Sequence, residues 1–308
     1  MEKALNYIDI FAGCGGLSTG LFNAGWHGLF AVEKNADAFS TLKFNLIDTV
    51  PHFVWPEWLS TEAHDINELI SKNEDNLKAL RGHVTLVAGG PPCQGFSMAG
   101  KRNANDQRNK LVESYIQFIK LVAPQVIIFE NVHGFTVNFK DKKGAKQYST
   151  YVEQALTEEG YQVAHSIIDM SHFGIPQNRK RFILVAMKGH DPKRVFAVLA
   201  ENRAAFCQEK GIMCTTSVRD AISDLEKSCG TVPSPDTKGF NAGIYGAIQS
   251  GYQKLMRQKL STDTRVVNSH RFVNHRADTV KLHEDLLRTA PRGKRITPTD
   301  GIVDNLNR

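Results

Sequence analysis

Residues 84–97, VTLVAGGPPCQGFS, pass from an apolar stretch suited to a buried strand into glycines, prolines and one thiol, Cys93. Pro91 and Pro92 each fix φ and lack an N–H, so the corner ahead of the thiol is stiff. A stiff mount suits a nucleophile, because reacting atoms must be held in line. An inert packing cysteine would be expected inside the strand rather than past its end. A second such residue, Glu130, closes the apolar run PQVIIFENV (124–132). A carboxyl in a partly dry site can deliver a proton; the plain alternative is a helix cap or an ion-pair partner. FGIPQNRKRFILVAM (173–187) then carries Arg179, Lys180 and Arg181 into the start of a strand. In an extended chain Arg179 and Arg181 would point the same way, and a guanidinium donates to a carbonyl or phosphate through a fixed fork. Basic residues at a strand start are also common as solvated charge.

A second group of residues points to a ligand. DIFAGCGGLSTG (9–20) sets Gly13, Gly15 and Gly16 between a strand and a helix, where the backbone can pass close to a ligand at a helix N-terminus. The dinucleotide fingerprint G-x-G-x-x-G is incomplete, and a glycine turn is often only a tight connection. AVEKN leaves Glu33 beyond a strand tip, where it could accept from both hydroxyls of a ribose or simply face solvent. Asp65 and Ile66 in AHDIN offer a carboxylate for the amino group of an adenine and an apolar side chain for its face. The three features together fit a nucleoside-bearing cofactor better than any one of them does.

Strands must carry these residues. NYIDIF, HGLFAVE, VTLVAG, QVIIFE, QVAHSII and RFILVAM read as strands, and NADAFSTLKFN, NKLVESYIQFIKLVA and YSTYVEQALTEEG as helices. The alternation predicts an α/β fold, a doubly wound and mostly parallel sheet with helices on both faces. Active groups of such sheets gather beyond the carboxyl ends of the strands. Cys93, Glu130, the glycine turn and Glu33 are thereby expected on one edge. After residue 190 the rhythm degrades, and residues 228–250 read as a long irregular segment. A catalytic, cofactor-binding domain is expected over 1–190, followed by a different region over 191–308.

The net charge of +6 is concentrated late: from residue 251 onward there are 12 Lys or Arg against 6 Asp or Glu, with balance before it. A basic end suits a polyanionic partner or a solvated surface. The five cysteines include no C-x-x-C pair, which argues against a disulfide framework or a zinc site, so no metal is expected. No apolar run is long enough to span a bilayer, and MEKALNYIDIF lacks a signal-peptide plan. A cytoplasmic protein without a membrane partner is expected.

In order, FAGCGG, GGPPCQGFS, ENV and QNRKR resemble the DNA cytosine-5 methyltransferase family, of the bacterial restriction–modification type. The resemblance is dense over 6–187 and looser through TSVRDAISDL (216–225), SGYQKLMR (250–257) and residues 273–296. It implies a seven-stranded Rossmann-like methyltransferase sheet and methyl transfer from S-adenosylmethionine to C5 of a cytosine in duplex DNA, with S-adenosylhomocysteine as product. It also implies that the base is flipped out of the stack, since C6 is inaccessible within it. Phe11, Glu33, Asp65, Ile66, Gly90, Pro92 and Leu111 would surround the cofactor, with Gly13, Gly15, Gly16 and Leu17 at the turn beside it. Lys34 belongs to the same set but stands where many members carry an aromatic side chain. Cys93 would be the nucleophile, Glu130 the partner of cytosine N3 and the amino group, Arg181 a donor to O2, and Arg179 a support. The segment SMAGKRNANDQRN (97–109) resembles the loop that closes over flipped DNA.

Complete members continue into a variable target-recognition region, an R-x-L-T-x-R-E-like segment and a late Gly-Asn-Ser motif. The last two are not found here, so 191–308 reads as a connecting segment and the start of the recognition region. The expectation is the larger subunit of a split enzyme that needs a second polypeptide; a truncated or degenerate copy is the alternative. Rival functions are methylation of transfer RNA, a non-catalytic DNA- or cofactor-binding role, and a nicotinamide dehydrogenase, in which P-P-C-Q would have no purpose.

Overall fold

The computed structural model describes residues 5–92, 110–136, 148–261 and 263–289. Near-continuous apolar runs form β1 (Asn6–Ile10), β2 (His27–Val32), β3 (Leu86–Gly89) and β4 (Val126–Val132), which pair in parallel in the order β2-β1-β3-β4. Beyond β4 come β6 (Lys180–Met187) and then β5 (Gln162–Asp169), each joined by antiparallel pairing. β5 therefore runs with the first four strands, and β6 is the one reversed member of a six-stranded, largely parallel sheet. The fold class is the expected one; the seven strands implied by the resemblance are not, since six form among the described residues. Among the described residues the sheet continues outside β2 as a single parallel bridge from Gly28 to Phe53. Pro56 limits that bridge, because its nitrogen falls on the same side as the Val54 amide that donates to the Gly28 carbonyl and has no N–H to offer.

Both faces of the sheet are covered over β1, β2 and β3, which is why these strands read as near-unbroken apolar runs, whereas β4 alternates and β5 buries no residue. Alternate residues divide between two cores. Tyr7, Ala31, Leu86 and Ala88 pack under α1 (Gly16–Asn23) and α2 (Ala36–Lys43) through Leu21, Phe39 and Leu42. Ile8, Ile10, Phe30, Val87, Ile127 and Phe129 pack with Ile66 and Leu69 of α3 (Ile66–Lys72) and Leu77 of α4 (Glu74–Ala79). The same core takes in Tyr115 and Phe118 of α5 (Lys110–Val122) and Val152 of α6 (Tyr148–Glu158). The chain leaves β1 on one side to make β2, then crosses to β3 on the other. The crevice between the carboxyl ends of β1 and β3 is thus the topological switch point, where doubly wound sheets bind ligands.

One polar group interrupts the α1 face of the sheet. Asp9 is fully buried in β1, and Ser18 Oγ of α1 donates to its Oδ2 at 2.5 Å, closing the foot of the glycine turn. Burial pushes the Asp9 carboxyl up to about 7; the Ser18 bonds oppose this and the nearby Glu33 charge adds to it. Between an unfolded value near 4 and this folded value, the native state holds a proton that the unfolded chain has released. Stability should therefore fall as pH rises from about 4 to 7, by roughly 2–4 kcal/mol from this group. Thermal melts across that window should show the loss in the unaltered chain and not in Asp9→Asn, whose difference from the unaltered chain isolates the group.

After β6 the chain forms α7 (Lys193–Glu209), a 17-residue helix that the sequence does not announce. It buries only Cys207 and leaves Val195, Val198, Leu199 and Phe206 exposed, so no apolar stripe marks it in advance. The chain divides into two compact units, Met1–Lys210 and Gly211–Arg308. The second holds α8 (Val218–Ile222), a short hairpin of β7 (Thr231–Pro233) and β8 (Asn241–Gly243), α9 (Gly251–Met256) and α10 (Ala277–Thr289). An ion pair between buried Asp224 and Arg257 ties this unit together, with the Arg257 guanidinium 4.2 Å from the centre of the Tyr245 ring. The segment expected to be irregular, 228–250, does contain both three-residue strands. Among the described residues no helix is long and apolar enough to cross a membrane.

Candidate active site

A cavity of about 220 Å³ opens at the switch point of the first unit. Phe11 and Gly90, the residues just beyond β1 and β3, line it together with Pro92. The end of β2 contributes Val32, Glu33 and Lys34; the approach to α3 gives His64, Asp65 and Ile66; α5 gives Leu111. Eight of the residues assigned to a cofactor from sequence thus share one cavity, and Val32 and His64 join them unforeseen. Gly13, Gly15, Gly16 and Leu17 stand beside it at the turn into α1. Gly15 caps that helix with φ +84°, and a side chain there would press on Leu42 at 3.0 Å. Phe11 also has positive φ, +62°, a conformation that costs a non-glycine residue about 1–2 kcal/mol. The next residue fixes it, since the Ala12 amide donates to the Val32 carbonyl at 3.0 Å.

Two carboxylates in the cavity are held by backbone amides. Glu33 accepts from Gly13 N through Oε2 at 2.8 Å and from Asn35 N through Oε1 at 2.7 Å. The glycine turn therefore orients Glu33, and each oxygen keeps a second lone pair for a hydroxyl donor. Asp65 caps α3, accepting through Oδ1 from Asn67 N at 2.8 Å and Glu68 N at 3.4 Å, while Lys34 Nζ lies 2.9 Å from Oδ2. Burial works against the Asp65 charge, but the Lys34 ammonium and the capping amides outweigh it and hold the carboxyl below its ordinary range. His64 Nε2 donates to the Ser60 carbonyl at 2.8 Å. This donor and acceptor set, with apolar Phe11, Ile66 and Leu111, fits a ribose and an aromatic base.

Cys93 and the loop 97–109 lie outside the described residues. The corner that leads to the thiol is described as far as Pro92, and β4 clamps it. Asn131, buried in β4, donates from Nδ2 to the Pro91 carbonyl at 3.1 Å and accepts the Val132 amide on Oδ1 at 2.9 Å. Glu130, one residue earlier, packs against Gly90 so closely that a Cβ there would sit 2.7 Å from both the Glu130 carbonyl oxygen and Oε2. Glycine is required at 90 by this approach. The Glu130–Asn131 pair thereby grips the Gly90–Pro91 pair, two residues before the thiol. Asn131 is present in ENV, but nothing in that triplet alone shows which carbonyl it reaches.

Strand pairing brings an arginine to the acid. Arg181 lies opposite Val132 in the β4–β6 register, and its Nε is 2.7 Å from Glu130 Oε1. The N–H is not aimed along that line, so the contact is a Coulombic pair rather than a directed hydrogen bond. The Arg181 side chain is 14% exposed and that of Glu130 37%, which leaves the carboxylate accessible. Arg179 sits one residue before β6 and is exposed, so it does not share this contact.

A doubly wound α/β unit with a switch-point cavity beside an acid–arginine pair defines the class. The chain belongs to the C-5 cytosine-specific DNA methylase family, whose model matches residues 5–301. It is 32% identical over 225 residues to the type II methyltransferase M.DdeI of Desulfomicrobium norvegicum, a match spanning 72% of this chain and 48% of that one. It is 34% identical over 261 residues to the type II methyltransferase M.AgeI of Thalassovita gelatinovora, spanning 81% and 57%. The chain thus covers about half the length of these curated relatives. A crystal structure of an E. coli prophage-encoded protein, described as a DNA modification methyltransferase, superposes with a TM-score of 0.53 at 23% identity. That match covers 82% of this chain and 64% of the other, and it bears on the fold alone.

Proposed function

We propose that the chain carries the catalytic unit of a DNA cytosine-5 methyltransferase. The observation that carries the reading is the convergence of Glu130, Arg181 and the Asn131-held proline corner next to the Glu33–Asp65 cavity. S-adenosylmethionine would lie in that cavity and supply a methyl group made electrophilic by its sulfonium. Glu33 would take the ribose hydroxyls, Asp65 the adenine amino group, and Phe11, Ile66 and Leu111 the apolar faces.

Cytosine C5 is a weak nucleophile. In this reading the Cys93 thiolate adds to C6 of a flipped base, forming the S–C6 bond, while a proton reaches N3 from Glu130. Electron density moved onto C5 would let that carbon take the methyl group as the methyl–sulfur bond of the cofactor breaks, with S-adenosylhomocysteine as the leaving group. Loss of the C5 proton to a solvent base would re-form the C5–C6 double bond and expel the thiolate, and the N3 proton would return to Glu130. Arg181, paired with Glu130, would donate to the adjacent O2 and keep the acid on the N3 edge. Family membership and the relatives' printed names support DNA over transfer RNA as substrate; the expected second polypeptide finds no support among them. The test is transfer of a labelled methyl group to duplex DNA, with bulk transfer RNA in parallel. Labelled 5-methylcytosine in DNA is expected; label only in RNA, or in neither, would overturn the proposal.

A further inference from the structure

The ion pair across the cavity mouth has no task in methyl transfer. Lys34 Nζ sits on Oδ2 of Asp65, the oxygen that the cap of α3 leaves open, whereas Oδ1 is committed to two backbone amides. Those amides hold the carboxylate in place without help, so the lysine is dispensable for its orientation. The Lys34 side chain is 78% exposed and the Asp65 side chain 20%, so the pair is anchored at the acid and loose at the base. Exposed pairs of this kind contribute little to stability and open readily. Their effect falls on whatever else seeks the same oxygen. An ammonium bonded to a carboxylate neutralises its charge and occupies a lone pair, which weakens it as an acceptor for a neutral amine.

We infer that Lys34 is a specificity-determining residue that competes with the exocyclic amine of a bound purine nucleoside for Asp65 Oδ2. The inference rests on the cofactor reading above. It makes the cavity weaker for a 6-amino purine than its carboxylate alone would allow, and more tolerant of a 6-oxo purine, whose carbonyl can accept from the ammonium. Lys34→Met keeps the apolar stem and removes the charge. Calorimetric titration of the full chain with S-adenosylhomocysteine, and with its inosine counterpart, reads both effects without any turnover. The variant is expected to bind S-adenosylhomocysteine about two- to fivefold more tightly and the inosine analogue no better or more weakly. An unchanged or weaker affinity for S-adenosylhomocysteine, or the same gain for both ligands, would overturn the role of Lys34 while leaving the cofactor assignment standing. If the unaltered chain bound neither ligand, the cofactor assignment itself would fall, and this inference with it.

Discussion

Cys93→Ser is expected to lose covalent capture of duplex DNA carrying 5-fluorocytosine and to lower methyl transfer by about 10³-fold or more. A hydroxyl is far less acidic than a thiol, so at neutral pH serine supplies almost no anion to add at C6. Fluorine at C5 cannot leave as a cation, so the normal enzyme stalls as an adduct that survives denaturing electrophoresis. The variant should give no such band, yet still bind S-adenosylhomocysteine, because Glu33, Asp65 and the apolar walls of the cavity are untouched. Adduct formation by Cys93→Ser would remove that cysteine from the mechanism and with it the purpose of the proline corner.

Glu130→Gln is expected to slow single-turnover methyl transfer by about 10²–10⁴-fold, the usual worth of a positioned acid. The amide keeps the size of the side chain and its fit against Gly90, but it cannot take up a proton and pass it to N3, and it carries no charge for Arg181. Because the Glu130–Arg181 pair is partly exposed, losing it should cost under about 1 kcal/mol of stability. Melting temperature and rate therefore separate the two roles. A large drop in Tm with little change in rate would make Glu130 a structural ion-pair partner, the bland alternative that its place at a strand end allows.

The strands were legible because each is a short apolar run, and runs of that kind next to glycines and prolines say where a buried strand ends. The residues at or just past those ends could be named for the same reason: Cys93, Glu33 and the glycine turn follow apolar runs, and Glu130 interrupts one two residues before β4 stops. The helix α7 was not legible, because it has almost no buried face to leave a periodic trace.

By itself the sequence determined the residue types, the chain order of the motifs and the alternation that sets a doubly wound sheet. Only the tertiary structure decided the pairings: Arg181 rather than Arg179 on Glu130, Asn131 on the Pro91 carbonyl, Lys34 on Asp65, and Ser18 on a buried Asp9. Each joins residues from separate elements, and strand register or helix placement, rather than spacing along the chain, sets which atoms meet. The chemistry on offer is a local property, whereas its geometry is fixed by contacts that no short stretch contains.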